Sequence, residues 1–253
     1  MPVSGEPFAR YGGRTTAFAF DAGDTTLILD CGTGVVAVAG RDTADWHMIL
    51  THYHSDHLQG LQFFEPLFRP GVSFTFYGHP PDNMSLQDAI AGFFEPPFFP
   101  VTLDETPSLK SFVEIGREPL SIGAIEVAHS RLNHPQRATA YRLSHGGASI
   151  VVATDHEAGD AATDSALIGL AAGADVLIHD AQYTPEDYQE HRGWGHSTWE
   201  DAVATAAAAG VGSLVLTSHD PWRSDDEIDS IVGEARARFH AVVAAYEGMV
   251  LEI

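Results

Sequence analysis

The sequence predicts an α/β fold with four layers, in which two β-sheets lie between two layers of helices (αββα). Two observations predict this architecture. Strand-like apolar runs alternate with helical patterns along the 253 residues, and these patterns form two similar halves. Side chains that bind metal ions also recur directly after the strand-like runs, where α/β proteins usually build their sites. We therefore expect one site along one edge of the sandwich.

In the first half, strands are predicted over residues 15–20, 25–30 and 72–77, and a further strand ends at Leu50. Gly23 lies in the turn between the first two runs, which is typical of a hairpin. A helix is expected over residues 55–64. Residues 78–116 interleave prolines with phenylalanines, which excludes one long helix and fits core packing, a lid over the site or a dimer contact.

The second half repeats the alternation of strands and helices. Predicted strands cover residues 122–129, 139–143, 149–153, 175–179, 214–217 and 249–253, and predicted helices cover residues 167–172, 197–209 and 224–246. Several of these strands end in His or Asp, including Asp155, Asp180 and His219.

Composition fits one compact enzyme domain over residues 1–253, since 44% of the residues are apolar and no linker divides the chain. The N-terminus lacks a signal-peptide pattern and no segment has the apolar length to span a bilayer, so we expect a cytoplasmic protein without a membrane partner. A net charge of -22 leaves no basic surface for a long nucleic acid. The single cysteine, Cys31, excludes an internal disulfide, so metal binding must rest on His and carboxylate side chains.

The strongest motif follows the strand that ends at Leu50. It places four metal-capable side chains within six positions, namely His52, His54, Asp56 and His57. In an extended segment His52 and His54 point the same way and can bind one cation, while Asp56 and His57 face a second one. The alternative is a surface turn with solvated histidines. Asp30, at an earlier strand end, is either a solvated turn residue or a carboxylate that orients a ligating imidazole through its other nitrogen.

The order of these residues resembles that of the metallo-β-lactamase superfamily. That order is the His-x-His-x-Asp-His motif, then a loop histidine, an aspartate at a strand end and a late histidine, and the match covers almost the full length. Two motifs resemble the branch of ribonuclease Z and related phosphodiesterases: Gly195-His196-Ser197-Thr198 and Tyr11-Gly12-Gly13-Arg14-Thr15-Thr16. The resemblance implies the four-layer αββα sandwich of that superfamily and a dinuclear metal site.

Carried over residue by residue, the resemblance implies two ligand sets that share one carboxylate. One metal is held by His52, His54 and His134, the other by Asp56, His57 and His219, and Asp155 bridges them. His129 is the strongest rival to His134, and His145, His156 and His191 are further candidates. Imidazole and carboxylate ligands suit Zn²⁺, our first choice, and also Mn²⁺ or Fe²⁺.

The same resemblance names the catalytic residues. Asp56 belongs to them as a ligand, and His196 is the candidate proton donor to the leaving group. Asp180 stands where ribonuclease Z has a glutamate near that histidine, and it would hold the imidazole in its protonated orientation. Without the resemblance, His196 is a residue next to the helix cap Ser197.

The predicted function is hydrolysis of a small phosphodiester, such as a cyclic nucleotide, by a two-metal enzyme. Ribonuclease Z grips tRNA with a long basic arm, and no such insertion is visible here. The alternatives are a thioester or lactone hydrolase of the same superfamily, tRNA 3′ processing, a β-lactamase, and a binding or scaffold protein that has lost turnover. A homodimer is a further expectation, because folds of this branch are often dimeric.

Overall fold

The computed structural model describes all residues from 1 to 253. Its contacts divide the chain into two compact units. The first unit comprises residues 1–2 and 14–125, and the second comprises residues 3–13 and 126–253. The expectation of a single domain over residues 1–253 stays a prediction.

A five-stranded sheet forms the centre of the first unit. Its strands are β1 (Phe18–Ala22), β2 (Thr25–Leu29), β3 (Asp45–Ile49), β4 (Ser73–Gly78) and β5 (Leu109–Glu114), in that order across the sheet. The β1–β2 hairpin is antiparallel, as its Gly23 turn predicts, and the other pairs are parallel. Trp46, Phe64 and Phe74 contact one another through their rings in the core beneath it. Because β2 and β3 are parallel, their carboxyl ends, which precede Asp30 and the His-x-His-x-Asp-His motif, meet at one edge.

The prediction of a helix over residues 55–64 is wrong. The structure has two short 3₁₀ turns there, Ser55–His57 and Leu61–Phe63. The backbone groups that would continue a helix bond to another segment instead: the carbonyl of His57 accepts from the Cys31 N–H, and the Gly60 N–H donates to the Cys31 carbonyl. These two bonds hold the ligand-bearing loop against the end of β2.

The proline- and phenylalanine-rich stretch is partly regular. It contains helix α1 (Leu86–Ala91), which Ser85 caps with its side chain, and it ends in strand β5. Phe94 is fully buried in the core of the first unit, and Phe99 packs against it at a ring distance of 5.3 Å. Phe98, in contrast, is 85% exposed. Part of the stretch is therefore core, as one of the three interpretations held.

A seven-stranded sheet contains the remaining strands. They are β6 (Leu120–Ile122), β7 (Ile125–Leu132), β8 (Ala138–His145), β9 (Ala148–Ala153), β10 (Val176–Asp180), β11 (Ser213–Thr217) and β12 (Val242–Ala244), in reverse order across the sheet. The pairs from β9 to β12 are parallel. Their carboxyl ends therefore lie at one edge, where the residues after β9, β10 and β11 are brought together.

Four helices belong to the second unit: α2 (Ala161–Ala171), α3 (Pro185–Tyr188), α4 (Trp199–Ala209) and α5 (Asp225–Arg238). A capping box of Thr198 and Asp201 starts α4, and Gly210 ends it in the left-handed conformation that glycine adopts without strain. The inner face of α4 is rich in alanine, with Ala202 and Ala206 fully buried, so the helix packs closely on the sheet. The mixed α/β class, with two sheets and their helices, is confirmed.

The chain end differs from the sequence prediction. Helix α5 stops at Arg238 rather than at residue 246, and the last strand is β12 rather than residues 249–253. Val242 and Ala244 bury their side chains and pair in parallel with Leu214 and Leu216 of β11. The β-branched pair at residues 242–243 completes the sheet edge, which explains why the helical pattern ends before it.

Candidate metal centre

A first set of candidate ligands, called the first ligand group, consists of His52, His54, Asp56 and His57, all in the loop that follows β3. His52 and His57 are buried, and His54 and Asp56 are half-buried. The ring of His52 lies 4.5 Å from that of His54 and 4.2 Å from that of His57, measured between centroids. Three imidazoles and a carboxylate thus cluster within one loop of the first unit.

Asp30 fixes two of these imidazoles. It lies at the end of β2, fully buried, with a left-handed φ of 60°. Its Oδ2 accepts hydrogen bonds from His57 Nδ1 at 2.7 Å and from the Thr51 hydroxyl at 2.8 Å, and the Thr51 oxygen lies 3.0 Å from His52 Nδ1. Because the Thr51 proton goes to the carboxylate, His52 Nδ1 is the donor in the last pair. Asp30 therefore lies where the ligand-orienting alternative expects it.

Glycine allows the close approach of the two segments that carry these residues. A Cβ at Gly60 would lie 2.0 Å from the Gly32 carbonyl oxygen, and a Cβ at Gly32 would lie 2.3 Å from the carbonyl oxygen of Asp56. A side chain at either position would push the ligand loop away from Asp30. The absence of a side chain is thus a requirement of the site geometry.

A second set of candidate ligands, called the second ligand group, consists of His134, Asp155 and His219. Each follows a strand of the seven-stranded sheet: β7, β9 and β11 respectively. Asp155 has a φ of 55°, and Ser218, directly before His219, has a φ of 57°. Such left-handed conformations are uncommon for residues other than glycine and concentrate at functional sites. The side chains of His134 and Asp155 approach to 3.9 Å between Nε2 and Oδ2.

His134 is held by a backbone carbonyl rather than by a carboxylate. Its Nδ1 donates to the carbonyl oxygen of Gly195 at 2.9 Å. Gly195 has a φ of 91°, and a Cβ there would lie only 2.0 Å from His134 Nδ1. Only glycine lets the carbonyl come this close to the imidazole.

His219 shows the same arrangement. The pKa of His219 is lowered to about 4, chiefly by burial. A backbone hydrogen bond with Ala245 raises this pKa, and the cation of Arg223 lowers it. Since the Ala245 N–H already donates to the Leu216 carbonyl, the ring donates to the Ala245 carbonyl. Nε2 of His219 is buried without a hydrogen-bond partner. A neutral imidazole with an unsatisfied buried nitrogen is what a metal ligand requires.

Four imidazoles of the two groups present the same nitrogen. His52, His57, His134 and His219 each carry their proton on Nδ1, as inferred from their acceptor partners, so that the lone pair is on Nε2. Metal-binding histidines in proteins are usually held in this way by a hydrogen bond to the other ring nitrogen. The residues present therefore fit divalent metal ions.

The fully buried Asp180 pairs with the half-buried His196 beside the second group. Asp180 Oδ2 lies 2.6 Å from His196 Nδ1 and also accepts from the Asp155 N–H at 3.0 Å, while Oδ1 accepts from the Ser197 N–H at 3.0 Å. Asp180, the shorter side chain, thus reaches the imidazole directly. Asp155, Asp180 and His196 place one ligand atom each within 4.8 Å of one another.

The rival histidines have other surroundings. His129 lies within β7, opposite Tyr141 of β8, rather than at a strand end. His156 contacts Asp164 at 3.1 Å, and burial lowers its pKa against the pull of that carboxylate. His191 stacks on Tyr183 at 4.6 Å, and His145 is exposed at the end of β8. His134, in contrast, approaches Asp155 to 3.9 Å between Nε2 and Oδ2.

Two residues of the site have no place in the sequence interpretation. The Thr51 hydroxyl bonds to both Asp30 and His52 and so connects the carboxylate to the imidazole. Its position directly before the motif is the one sequence feature that points to this role. Glu157 accepts hydrogen bonds from Tyr188 and from the Gly193 and Gly195 N–H groups. Burial favours a raised pKa for Glu157, but these bonds outweigh it and hold the pKa below its usual value. Its position two residues after Asp155 gives no signal of this role.

Comparison with known proteins identifies the family to which the chain belongs. Residues 25–219 match the model of the β-lactamase superfamily domain. The chain belongs to that superfamily. A solved structure of the metallo-β-lactamase fold protein YhfI from Bacillus subtilis superimposes with a TM-score of 0.72 and 26% identity, covering 95% of this chain and 92% of YhfI.

Two sequence relatives are informative. The uncharacterised protein Rv1339 of Mycobacterium tuberculosis is 30% identical over 86% of this chain and 78% of its own length. Ribonuclease Z of Mycobacterium sp. (strain KMS) is 28% identical over 85% of this chain and 80% of its own length. Membership of the superfamily confirms the prediction of a metal-dependent hydrolase. Within the structure, no helix combines the length and the apolar character needed to cross a membrane.

Proposed function

We propose that this protein is a two-metal hydrolase of small phosphodiesters. In this proposal His52, His54 and His134 would hold one divalent cation, Asp56, His57 and His219 would hold the other, and Asp155 would contribute a ligand to both. The support within each unit is the hydrogen bonding described above, which gives four of the imidazoles the tautomer of a ligand. We propose zinc as the metal, since nitrogen and carboxylate ligands suit it. Cytoplasmic location and homodimer formation stay predictions from the sequence.

The observation that carries the choice of phosphodiester is the pair of His196 and Asp180. The buried carboxylate accepts from Nδ1 of His196 at 2.6 Å and favours the charged imidazolium, the form in which Nε2 also carries a proton. An alkoxide leaving group needs such a proton in the transition state. A thiolate, the leaving group of a thioester, is a far weaker base and needs it less.

The metal ions and the protein side chains have different roles in the proposed reaction. Bound divalent cations would supply positive charge for the phosphoryl oxygens and lower the pKa of a water that acts as nucleophile. Asp30 and the carbonyls of Gly195 and Ala245 hold the imidazoles in place. His196 then donates its Nε2 proton to the departing oxygen, and Asp180 keeps the ring oriented during the transfer.

The proposed substrate is small, with a cyclic nucleotide as the first choice. The net charge of -22 provides no basic surface for a polyanion, although one relative is named a ribonuclease Z. Both observations are compatible with phosphodiester cleavage, and the charge favours the small substrate. Efficient cleavage of a 3′-extended tRNA precursor at physiological salt would contradict this choice.

A substrate panel tests the reaction class. Rates are compared on a cyclic nucleotide, bis-p-nitrophenyl phosphate, a thioester, a lactone and nitrocefin, with metal content measured on the same preparation. We expect the two phosphodiesters to have the highest kcat/KM. A higher value on the thioester or the lactone would replace the phosphodiesterase proposal by the corresponding alternative.

The proton donor is tested by leaving-group dependence. His196→Ala should retain metal and lower kcat on the cyclic nucleotide by about 10²- to 10⁴-fold. On the nitrophenyl ester the loss should be mild, because nitrophenolate leaves without a proton. The exposed His145 gives a matched control, His145→Ala, with unchanged rates on both substrates. Equal losses on both substrates in His196→Ala would show that His196 stabilises phosphoryl charge instead.

A further inference from the structure

Glu157 is a buried carboxylate that belongs to neither ligand group. It follows β9, two residues after Asp155, and is 9% exposed. Its Oε1 accepts from the Gly193 N–H at 2.7 Å and from the Tyr188 hydroxyl at 2.8 Å. Its Oε2 accepts from the Gly195 N–H at 2.8 Å. One side chain thus holds both ends of the turn formed by residues 193–195.

This turn carries two groups of the site. The carbonyl of Gly195 accepts from Nδ1 of His134, and the next residue is His196, which pairs with Asp180. A displacement of the turn would therefore move the acceptor of a proposed metal ligand and the proposed proton donor at the same time.

Glu157 also holds the loop of His134 from the other side. Its backbone N–H donates to the carbonyl of Asn133 at 2.8 Å, and its carbonyl accepts from the Asn133 side-chain amide at 2.8 Å. Asn133 directly precedes His134. The main chain of Glu157 thus fixes the loop on which the imidazole stands, and its side chain fixes the carbonyl to which that imidazole donates.

The site needs a carboxylate rather than an amide at this position. A carboxylate accepts hydrogen bonds through both oxygens, and here each oxygen faces a backbone N–H. Glutamine has one acceptor oxygen, so its NH₂ group would face either the Gly193 or the Gly195 N–H. One end of the turn would then lose its partner while the size of the side chain stayed the same.

We propose that Glu157 is a positioning residue that couples the metal ligand His134 to the proton donor His196 by clamping the turn of residues 193–195. This inference rests on the proposed function for the roles of the two histidines. Glu157 itself contacts neither substrate nor metal in this account. Its effect passes through the geometry of the turn.

The test compares Glu157→Gln with a matched control, Glu190→Gln, which makes the same chemical change at an exposed carboxylate. Glu157→Ala is a second variant. For each folded protein we would measure hydrogen exchange of the Gly193 and Gly195 amides, retention of zinc against a chelator, and kcat on the two phosphodiesters. In Glu157→Gln we expect faster exchange of at least one of the two amides and zinc retention about 10- to 100-fold weaker.

The kinetic result should resemble that of His196→Ala. Glu157→Gln should lower kcat more on the cyclic nucleotide than on the nitrophenyl ester, with KM nearly unchanged. With zinc kept saturating in the assay, the double variant Glu157→Gln/His196→Ala should be no slower than His196→Ala, because the two changes then remove the same proton transfer. Glu190→Gln should match the wild type in every measurement.

Two results would overturn the proposal. One is wild-type exchange and wild-type zinc retention in Glu157→Gln and Glu157→Ala. The other is a lower unfolding temperature with equal kcat losses on both substrates and additive effects in the double variant, which would assign Glu157 to stability. Amide exchange and zinc retention need no substrate. If the wild type cleaves no phosphodiester, the proposed function fails while these two measurements still decide the clamp.

Discussion

The two ligand groups hold their imidazoles by different means. In the first unit one side chain, the Asp30 carboxylate, orients His57 directly and His52 through a threonine hydroxyl. In the second unit, backbone carbonyls of Gly195 and Ala245 orient His134 and His219, and the buried carboxylate there serves His196. The first group therefore depends on the identity of one residue, whereas the second depends on the path of the main chain. Substitution of the orienting side chain should disrupt the first group directly, whereas a substitution should disrupt the second group by shifting the main chain, as we expect for Glu157→Gln and Gly195→Ala.

The largest effect is expected for Asp30→Asn. Its amide group cannot accept from the Thr51 N–H, the Thr51 hydroxyl and His57 at once, so at least one buried donor loses its partner. Each orienting partner contributes about 10- to 100-fold in metal affinity, and two ligands are affected here, so zinc retention should fall about 100-fold or more. Chelator competition measures it.

The control for this change is Asp24→Asn in the exposed hairpin turn, which should retain zinc like the wild type. Wild-type zinc retention in Asp30→Asn would show that the first group does not depend on the carboxylate. The contrast between the two units would then disappear.

Gly195→Ala tests the second group. The added Cβ would lie 2.0 Å from His134 Nδ1, so either the carbonyl or the imidazole must move, and zinc retention should fall about 10- to 100-fold. Gly147→Ala is a matched control, because Gly147 has a nearly equal φ of 93° and no atom within 4 Å of the new Cβ. Both variants carry the strain of a left-handed alanine, and only Gly195→Ala should weaken zinc. Equal zinc retention in the two would contradict the role of the backbone carbonyl.

The smallest effect separates stability from ligand orientation. Ser224→Ala removes the cap of α5, which should lower the free energy of unfolding by about 1 kcal/mol. Because the Ser224 hydroxyl bonds to Glu227 rather than to a candidate ligand, zinc retention should stay unchanged. Urea unfolding and chelator competition on the same variant check the two statements, and a parallel fall of both would show that α5 supports the site.

The cap also has a predictable pH dependence. Hydrogen bonds from the Ser224 side chain and then from its N–H hold the pKa of Glu227 below its usual value. A carboxyl whose pKa is lower in the folded state stabilises that state above its unfolded pKa of about 4.3 and loses this effect as the pH falls through the folded value. The difference in stability between wild type and Ser224→Ala should therefore shrink below about pH 4. A constant difference from pH 7 to pH 3 would contradict the assignment.

The same contrast explains which parts of the site the sequence predicts. The His-x-His-x-Asp-His motif can be recognised in the sequence because its candidate ligands are close in sequence and follow a strand. Asp30 is readable as a carboxylate at a strand end. The carbonyls of Gly195 and Ala245 have no sequence signature, since every residue has a carbonyl. Their position is set by contacts between residues distant in the chain.

The errors in the fold have the same origin. The helix predicted over residues 55–64 does not form because the backbone of Cys31 makes hydrogen bonds with the His57 carbonyl and the Gly60 N–H. The final helix stops early because Val242 and Ala244 pair with β11. Both competing partners are far away in sequence. The strands that carry Asp155, Asp180 and His219 are predicted well because each is a short buried run, recognisable without knowledge of its neighbours.

Our central proposal is that the chain holds two metal ions and that Asp155 contributes a ligand to both. Metal content measured by elemental analysis on the purified protein after zinc loading and gel filtration tests it most directly, with Asp155→Ala measured in parallel. We predict two equivalents of zinc in the wild type, fewer than two in Asp155→Ala, and no turnover in that variant. Two equivalents and full activity in Asp155→Ala would contradict it.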